Sequence, residues 1–314
     1  MEYVILLASL AGIVFGADFL VTGSVSVARK YGVSDFVLGA VIVGMGTSMP
    51  EFVVSFIGAL NGNSDVAIGN VVGSNIFNVL GILGLTALFF PVATDRKNVK
   101  FELPLCVGVS VLLTLLAFDF FFTPAAGISR VDGALLLFVF VAFMYISFVR
   151  DRKSASTVTR EPATVPLWKS IAKVVGGLVL LITSCELFVD NAVAIAKSFG
   201  VSEAFISLTL IACGTSLPEL AASIAAAVKK NTDMALGNIV GSNIFNITFI
   251  LGLSSMVTPL TSSGITLVDY IVMIAAAVLT FLLGVRGKIG RAWGAVMIVC
   301  FVMYNCYLVT NQIV

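Results

Sequence analysis

Two segments of this chain each occur twice. GMGTSMPE at 44–51 returns as ACGTSLPE at 212–219, and GNVVGSNIFN at 69–78 returns as GNIVGSNIFN at 237–246. Both returns lie 168 positions further along the chain, so the spacing is constant. Solenoid proteins repeat over roughly 20–50 residues, and this period is far longer. The pattern therefore predicts a duplication of one large unit.

The composition indicates that this unit lies in a lipid bilayer. Of the 314 residues, 59% are hydrophobic and 11% are charged, whereas soluble domains carry about 25% charged residues. A membrane-spanning helix needs roughly 20 apolar residues, and a spanning barrel would instead alternate over segments of about ten. The apolar runs favour helices, and we predict ten spans at 3–27, 36–60, 66–90, 102–119, 131–149, 172–196, 204–228, 233–257, 266–285 and 292–311.

The span count and the duplication together predict the fold, which is an all-α membrane protein of two five-helix repeats. Because five is odd, the second repeat enters the membrane from the opposite side and is inverted. We place the first unit at 1–149 with its motif at 44–78, a polar linker at 150–170, and the second unit at 171–314 with its motif at 212–246. Inverted repeats are typical of secondary transporters, whose binding site lies near the midplane between the repeats.

The basic residues predict the orientation. If both termini lie outside the cell membrane, sixteen of the 18 Lys and Arg residues fall on the cytoplasmic side, and only Arg130 and Lys197 fall outside. Cytoplasmic loops of membrane proteins carry an excess of these residues. The linker 150–170 is therefore expected in the cytoplasm.

Two acidic residues, Glu51 and Glu219, lie in the middle of apolar spans and occupy equivalent positions of the repeat. An ionisable residue inside a membrane is costly and is a candidate functional residue by default. No basic residue lies in either span to form a structural ion pair. We therefore expect these two carboxylates to form the centre of a cation site.

A proline precedes each of these acids. Pro50 and Pro218 have no N–H to donate, so each frees a backbone carbonyl one turn earlier in its helix. Hydroxyl groups add further oxygen atoms at Thr47, Ser48, Thr215 and Ser216. Carbonyl, hydroxyl and carboxylate oxygens are the ligands that Ca²⁺ and other hard cations prefer.

The second motif places amides and hydroxyls inside helices. Ser74 and Asn78 are four residues apart and share a helix face, as do Ser242 and Asn246, so we expect these four to line the cavity. The other asparagines of the motif are as consistent with hydrogen bonds between helices as with an ion site. They are Asn70, Asn75, Asn238 and Asn243.

The charges suggest antiport. Two carboxylates carry −2, which one Ca²⁺ neutralises, and two or three Na⁺ can use the same oxygens only when Ca²⁺ is absent. An empty cavity with two buried negative charges is costly, which disfavours return without a counter-ion. The chain has no histidine, and its five cysteines match no zinc pattern. No cofactor is expected, and the predicted partners are the lipid bilayer and the transported ions.

The paired GTSMPE and GTSLPE segments and the paired GSNIFN segments resemble the two repeats of the sodium/calcium exchanger branch of the cation/Ca²⁺ exchanger superfamily. The resemblance covers essentially the whole chain. It implies Na⁺ and Ca²⁺ ligands at Glu51, Glu219, Ser48 and Ser216, at the backbone carbonyls of Thr47 and Thr215, and at the carbonyls of Gly44 and Ala212. It also implies pocket positions at Ser74, Asn78, Ser242 and Asn246. Potassium-dependent relatives carry Asp at the position of Asn246, so the asparagine here favours exchange without K⁺.

Three other functions stay open at this point. Burial disfavours the charged form of a carboxylate, so the same acids could exchange H⁺ for Ca²⁺. A cation channel is a second alternative, although channels usually repeat a motif around an axis along the membrane normal. An intramembrane enzyme is a third, and the chain contains no HExxH motif and no Ser/His pair. No nucleic acid and no obligatory protein partner is predicted.

Overall fold

The computed structural model describes residues 2–31, 33–94, 99–118, 127–154, 166–199, 214–261 and 264–313. Eleven helices and two short strands form in these ranges. The elements are α1 Glu2–Tyr31, α2 Asp35–Thr47, α3 Met49–Leu60, α4 Ser64–Phe89, β1 Val92–Ala93, α5 Glu102–Ala117, α6 Arg130–Ser154, α7 Leu167–Ser198, α8 Leu217–Val228, α9 Thr232–Val257, α10 Leu267–Val285, β2 Lys288–Ile289 and α11 Arg291–Ile313.

The helix bounds repeat with the sequence. Adding 168 to the bounds of α3 gives those of α8, and adding 168 to the bounds of α4 gives those of α9. Both α4 and α9 widen into π-helical turns that begin at the end of the second motif, at Phe77–Leu83 and Asn246–Leu251. Such turns are rare and occur frequently at functional sites. The duplication predicted from the motifs therefore extends to the backbone.

Seven of the described helices are long and apolar enough to cross a bilayer, and the bent pair α2–α3 adds an eighth. Helix α5 has 16 residues and is shorter than a typical span. The predicted span 204–228 lies partly outside the described residues, as does most of the linker 150–170. The fold is thus an all-α membrane fold, and the count of ten inverted spans stays a prediction.

Helices α4 and α9 lie at the centre. In their most apolar windows 78% and 83% of residues are buried, compared with 28% in α1, 22% in α7 and 11% in α11. The exposed side chains of the outer helices are largely hydrophobic, including Phe15, Phe138 and Val299. Because lipid is as apolar as a protein core, such faces suit a bilayer. The motif helices are therefore shielded from lipid by the rest of the chain.

Helices α1 and α7 pack almost backbone to backbone. A Cβ on Gly16 would lie 2.7 Å from the amide nitrogen of Leu181, and one on Gly177 would lie 2.5 Å from that of Leu20. Gly23 faces the carbonyl of Ser170 in the same way. Small residues permit such close approach between membrane helices. The contacts run in opposite directions along the two helices, so α1 and α7 are antiparallel.

Two short backbone pairings tie one half of the chain to the other. Val92 pairs with Ile289 in a two-stranded antiparallel ribbon, and Leu260 forms a bridge with Ile128. Val92 and Leu260 are 168 positions apart. Each partner lies two residues before the last long helix of the other half, α11 or α6. The halves are therefore joined in a reciprocal manner at both pairings.

Candidate cation-binding site

The helix containing the first motif breaks at Ser48. Helix α2 ends at Thr47, α3 begins at Met49, and the two helices bend by 49°. In the second half, α8 begins at Leu217 after a turn at Ser216. Pro50 and Pro218 occupy the first turns of α3 and α8, where a missing N–H is tolerated. The break at Ser48 falls where Pro50 predicts it, and α8 begins at the equivalent position of the second half.

Glu51 and Glu219 lie fully buried, with 0% of their surface exposed. The Ser216 hydroxyl donates to Oε1 of Glu51 at 2.7 Å, and the Ser48 hydroxyl donates to Oε1 of Glu219 at 2.8 Å. Each carboxylate is thus held by a serine from the other half of the chain. The second oxygen of each, Oε2, is buried and has no hydrogen-bond partner among the described residues. Buried polar atoms nearly always have a partner, so an unpaired carboxylate oxygen at this depth is a candidate ligand for a cation.

Neutral oxygens on α4 and α9 are also left without partners. Ser74 Oγ, Asn78 Oδ1 and Asn246 Oδ1 are buried and accept no hydrogen bond from any described residue. The π-helical turn that begins at Asn246 packs against α3, and the turn containing Asn78 packs against α8. The orphan oxygens therefore lie on segments that pack against the helices of the two acids. Within the described ranges, no three His, Cys, Asp or Glu side chains form a metal-binding group, and the candidate donors are the two carboxylates and these neutral oxygens.

Two asparagines of the second motif hold the backbone of the acids. Asn70 Nδ2 donates to the carbonyl of Glu51 at 3.2 Å and to Ser55 Oγ at 2.9 Å. Asn238 Nδ2 makes the same pair of bonds to the carbonyl of Glu219 and to Ser223 Oγ, at 3.2 and 2.8 Å. These asparagines link helices, which is one of the two roles that the sequence left open.

Of the remaining predicted site residues, some form hydrogen bonds within or between helices and one lies outside the described residues. Thr47 Oγ1 donates within its own helix to the Val43 carbonyl at 2.9 Å and contacts Asn238 Oδ1 at 3.3 Å. The Ser242 hydroxyl donates to the Gly44 carbonyl at 3.2 Å, which brings these two predicted residues together. Ala212 lies outside the described residues.

A cavity of about 430 Å³ adjoins the helix breaks. Thr215 and both prolines line it, and α7 forms its opposite wall. The lining residues are Met49, Pro50, Val53, Val54, Ile182, Cys185, Glu186, Val189, Asp190, Gly214, Thr215 and Pro218. Neither Glu51 nor Glu219 lines the cavity, but Pro50 and Pro218, the residues immediately before them, do.

Two acids at equivalent positions of the repeat, Asp18 and Glu186, were left out of the predicted site, and only Glu186 lies next to it. Glu186 lies on the cavity wall, whereas its repeat equivalent Asp18 forms an ion pair of 2.6 Å with Lys229. Lys229 also contacts Thr22. The position equivalent to Lys229 in the first half is Asn61, which cannot form the matching pair. The serines Ser55 and Ser223 were also missed, although their identity at the repeat spacing was a usable signal.

The chain matches the family model for the sodium/calcium exchanger protein over residues 1–149 and 169–310. It belongs to the sodium/calcium exchanger family. Sodium/calcium exchanger MaX1 of Methanosarcina acetivorans is 30% identical over 98% of each chain. The putative antiporter CaxA of Alkalimonas amylolytica is 38% identical, also over 98% of each chain.

The fold agrees with a solved member of the sodium/calcium exchanger family. The structure of the sodium-calcium exchanger NCX_Mj soaked with Na⁺ and Sr²⁺ superposes with a TM-score of 0.84 at 30% identity, covering 96% of this chain and 97% of that one. A second NCX_Mj structure, soaked with Na⁺ and Ca²⁺, matches with a TM-score of 0.83. Membership of this family confirms that the chain is a membrane transporter of the cation/Ca²⁺ exchanger type, as the motifs predicted.

Proposed function

We propose that this protein exchanges Na⁺ for Ca²⁺ by alternating access at one site between the two helix breaks. The observation that carries the proposal is the pair of fully buried carboxylates, Glu51 and Glu219, each with one oxygen held by a serine and one oxygen free. The predicted ligand set around them comprises Thr47, Ser48, Thr215, Ser216, Gly44 and Ala212, with Ser74, Asn78, Ser242 and Asn246 in the adjoining pocket.

The charge of the site explains the exchange. A Ca²⁺ ion balances both carboxylates, and Na⁺ ions can balance them only after Ca²⁺ has left. The empty site would leave two buried negative charges close together, and burying unpaired charge costs several kcal/mol, on the order of 3–5 in measured cases. Movement of the empty site across the membrane is therefore unfavourable, and each ion must leave in exchange for the other.

The surroundings support access from one side at a time. The cavity along α7 reaches Thr215 and both prolines, whereas the repeat-equivalent acid Asp18 is held by Lys229. The two halves thus have different environments at equivalent positions. We place the protein in the cell membrane with both termini outside and the linker 150–170 in the cytoplasm, on the distribution of basic residues.

Uptake into proteoliposomes tests the coupling ion. Vesicles loaded with Na⁺ and diluted into Na⁺-free buffer should accumulate ⁴⁵Ca²⁺, whereas vesicles with only a pH gradient should not. Uptake driven by the pH gradient alone would assign H⁺ as the counter-ion at the same carboxylates. Flux that needs no counter-ion and does not saturate would indicate a channel and contradict the proposal.

Removing the serine hydroxyls should weaken Ca²⁺ binding. Hydrogen bonds to charged groups contribute about 1.5–3 kcal/mol, and about 1.4 kcal/mol corresponds to a factor of ten. We therefore expect Ser216→Ala and Ser48→Ala each to raise the Ca²⁺ concentration for half-maximal uptake about ten-fold. Ser110→Ala is the control, because that buried hydroxyl bonds only within its own helix, to the Cys106 carbonyl. Equal Ca²⁺ dependence in all three variants would contradict a role for these hydroxyls.

A further inference from the structure

Four asparagines meet where α4 crosses α9, and their hydrogen bonds form a closed network. Asn75 Nδ2 donates to the backbone carbonyl of Asn243 at 3.2 Å, and Asn243 Nδ2 donates to that of Asn75 at 3.2 Å. Asn78 Nδ2 donates to Asn243 Oδ1 at 3.0 Å, and Asn246 Nδ2 donates to Asn75 Oδ1 at 3.2 Å. All four residues are at most 3% exposed.

The network determines which way each amide faces. An asparagine side chain has an oxygen that only accepts and a nitrogen that only donates, and the two are interchangeable in shape. A backbone carbonyl can only accept, so the nitrogens of Asn75 and Asn243 must face the carbonyls of each other. Their side-chain oxygens then face Asn246 and Asn78, and only a nitrogen can satisfy them. The oxygens of Asn246 and Asn78 are consequently turned the other way.

Those two oxygens are the buried, unpartnered ones. Asn246 begins a segment that packs against the helix of Glu51, and Asn78 lies on a segment that packs against the helix of Glu219. A cation binds the amide oxygen and is repelled by the amide NH₂ group, whose hydrogens carry partial positive charge. The orientation of each amide therefore decides whether its residue is a ligand or a barrier.

We propose that Asn75 and Asn243 are positioning residues, which keep the amide oxygens of Asn246 and Asn78 turned toward the transported cations. This inference rests on the proposed function. It implies that the Ca²⁺ affinity of the site depends on two residues that do not themselves bind the ion. Each half supplies the positioning residue for the other half, because Asn75 orients Asn246 and Asn243 orients Asn78.

The test uses a substitution whose effect a second substitution should cancel. Asn75→Leu removes the oxygen that fixes the amide of Asn246, and we expect the dissociation constant for ⁴⁵Ca²⁺, measured by equilibrium dialysis on purified protein in detergent, to rise at least ten-fold. Asn246→Asp replaces the amide by a carboxylate, which presents oxygen in either orientation. In the Asn246→Asp background, Asn75→Leu should therefore change the dissociation constant less than two-fold.

The matched control is Asn78→Asp in the Asn75→Leu background. Since Asn75 does not orient Asn78, the ten-fold effect of Asn75→Leu should persist there. If Asn75→Leu raises the dissociation constant equally in all backgrounds, Asn75 acts through helix packing, and the inference is overturned. Unchanged Ca²⁺ binding in Asn75→Leu would also overturn it. Asn75→Ala repeats the cycle if the leucine variant does not fold. A parent protein that binds no Ca²⁺ would instead contradict the proposed function.

Discussion

Replacing either buried acid by glutamine should reduce Na⁺-driven Ca²⁺ uptake by at least a hundred-fold. Glu51→Gln and Glu219→Gln keep the size of the side chain and an oxygen that can accept from Ser216 or Ser48. They lower the negative charge of the site from two to one, so that Ca²⁺ is no longer balanced in a low-dielectric environment where unpaired charge is costly. Because both acids are fully buried and each accepts one serine hydroxyl, the two variants should lose activity to a similar extent.

Loss of uptake in these variants should not arise from unfolding. A buried carboxylate without a counter-ion destabilises the fold, so both glutamine variants should melt in ion-free detergent at the same temperature as the parent or higher. Asp65→Asn is the control for the loss of one charge. Asp65 is exposed, and an amide oxygen at this position can still accept from the Gly264 N–H, as the carboxylate does at 2.9 Å. Uptake near the parent level in either glutamine variant would exclude that acid from the site.

The second large effect is expected where α2 crosses α9. A Cβ on Gly241 would lie 2.4 Å from both the Cα and the carbonyl oxygen of Ala40, and one on Gly237 would lie 2.2 Å from the carbonyl oxygen of Phe36. These are backbone atoms and cannot rotate away. Alanine normally stabilises a helix by up to about 1 kcal/mol relative to glycine, whereas overpacking costs about 1–3 kcal/mol and occasionally more. Gly241→Ala should therefore lower both the yield of folded protein and the melting temperature.

The same substitution should also reduce transport in the protein that does fold, because α2 ends at Thr47 and Ser48, next to the site. Gly108→Ala on α5 is the matched control. Gly108 is exposed, and among the described residues no atom outside its own helix lies within 4 Å of the position that the new methyl group would take. Melting curves followed by size-exclusion chromatography provide the comparison. If Gly241→Ala melts no lower than Gly108→Ala, the close contact between α2 and α9 is not required for stability.

The sequence predicted the parts of the site that depend on local chemistry. Pro50 and Pro218 predicted helix breaks because a residue without an N–H interrupts the backbone ladder wherever it occurs. Buried acids were recognisable because charge is rare in apolar segments. The repeat spacing also carried structural information, since α8 and α9 have the bounds of α3 and α4 shifted by 168 residues.

The parts that depend on contact between distant helices could not be predicted in the same way. Ser48 and Glu219 are 171 positions apart, and no local pattern shows that the serine of one motif bonds the acid of the other. The ion pair of Asp18 with Lys229 spans 211 positions and has no counterpart in the first half to suggest it. The roles of the asparagines stayed open because an amide bonds a neighbouring helix as readily as an ion, and only the network decides between them.

Neither half of this chain contains the complete candidate site, because each acid accepts a hydrogen bond from a serine of the other half. One half encoded alone would need to meet a second copy of itself to form the same bonds. In such a homodimer every residue occupies both equivalent positions, so the two subunits must have the same residue at each of them. Joining two copies in one gene removes that constraint. Lys229 pairs with Asp18, whereas the position equivalent to Lys229 in the first half is Asn61. Only the fused gene could acquire such a difference between the two halves.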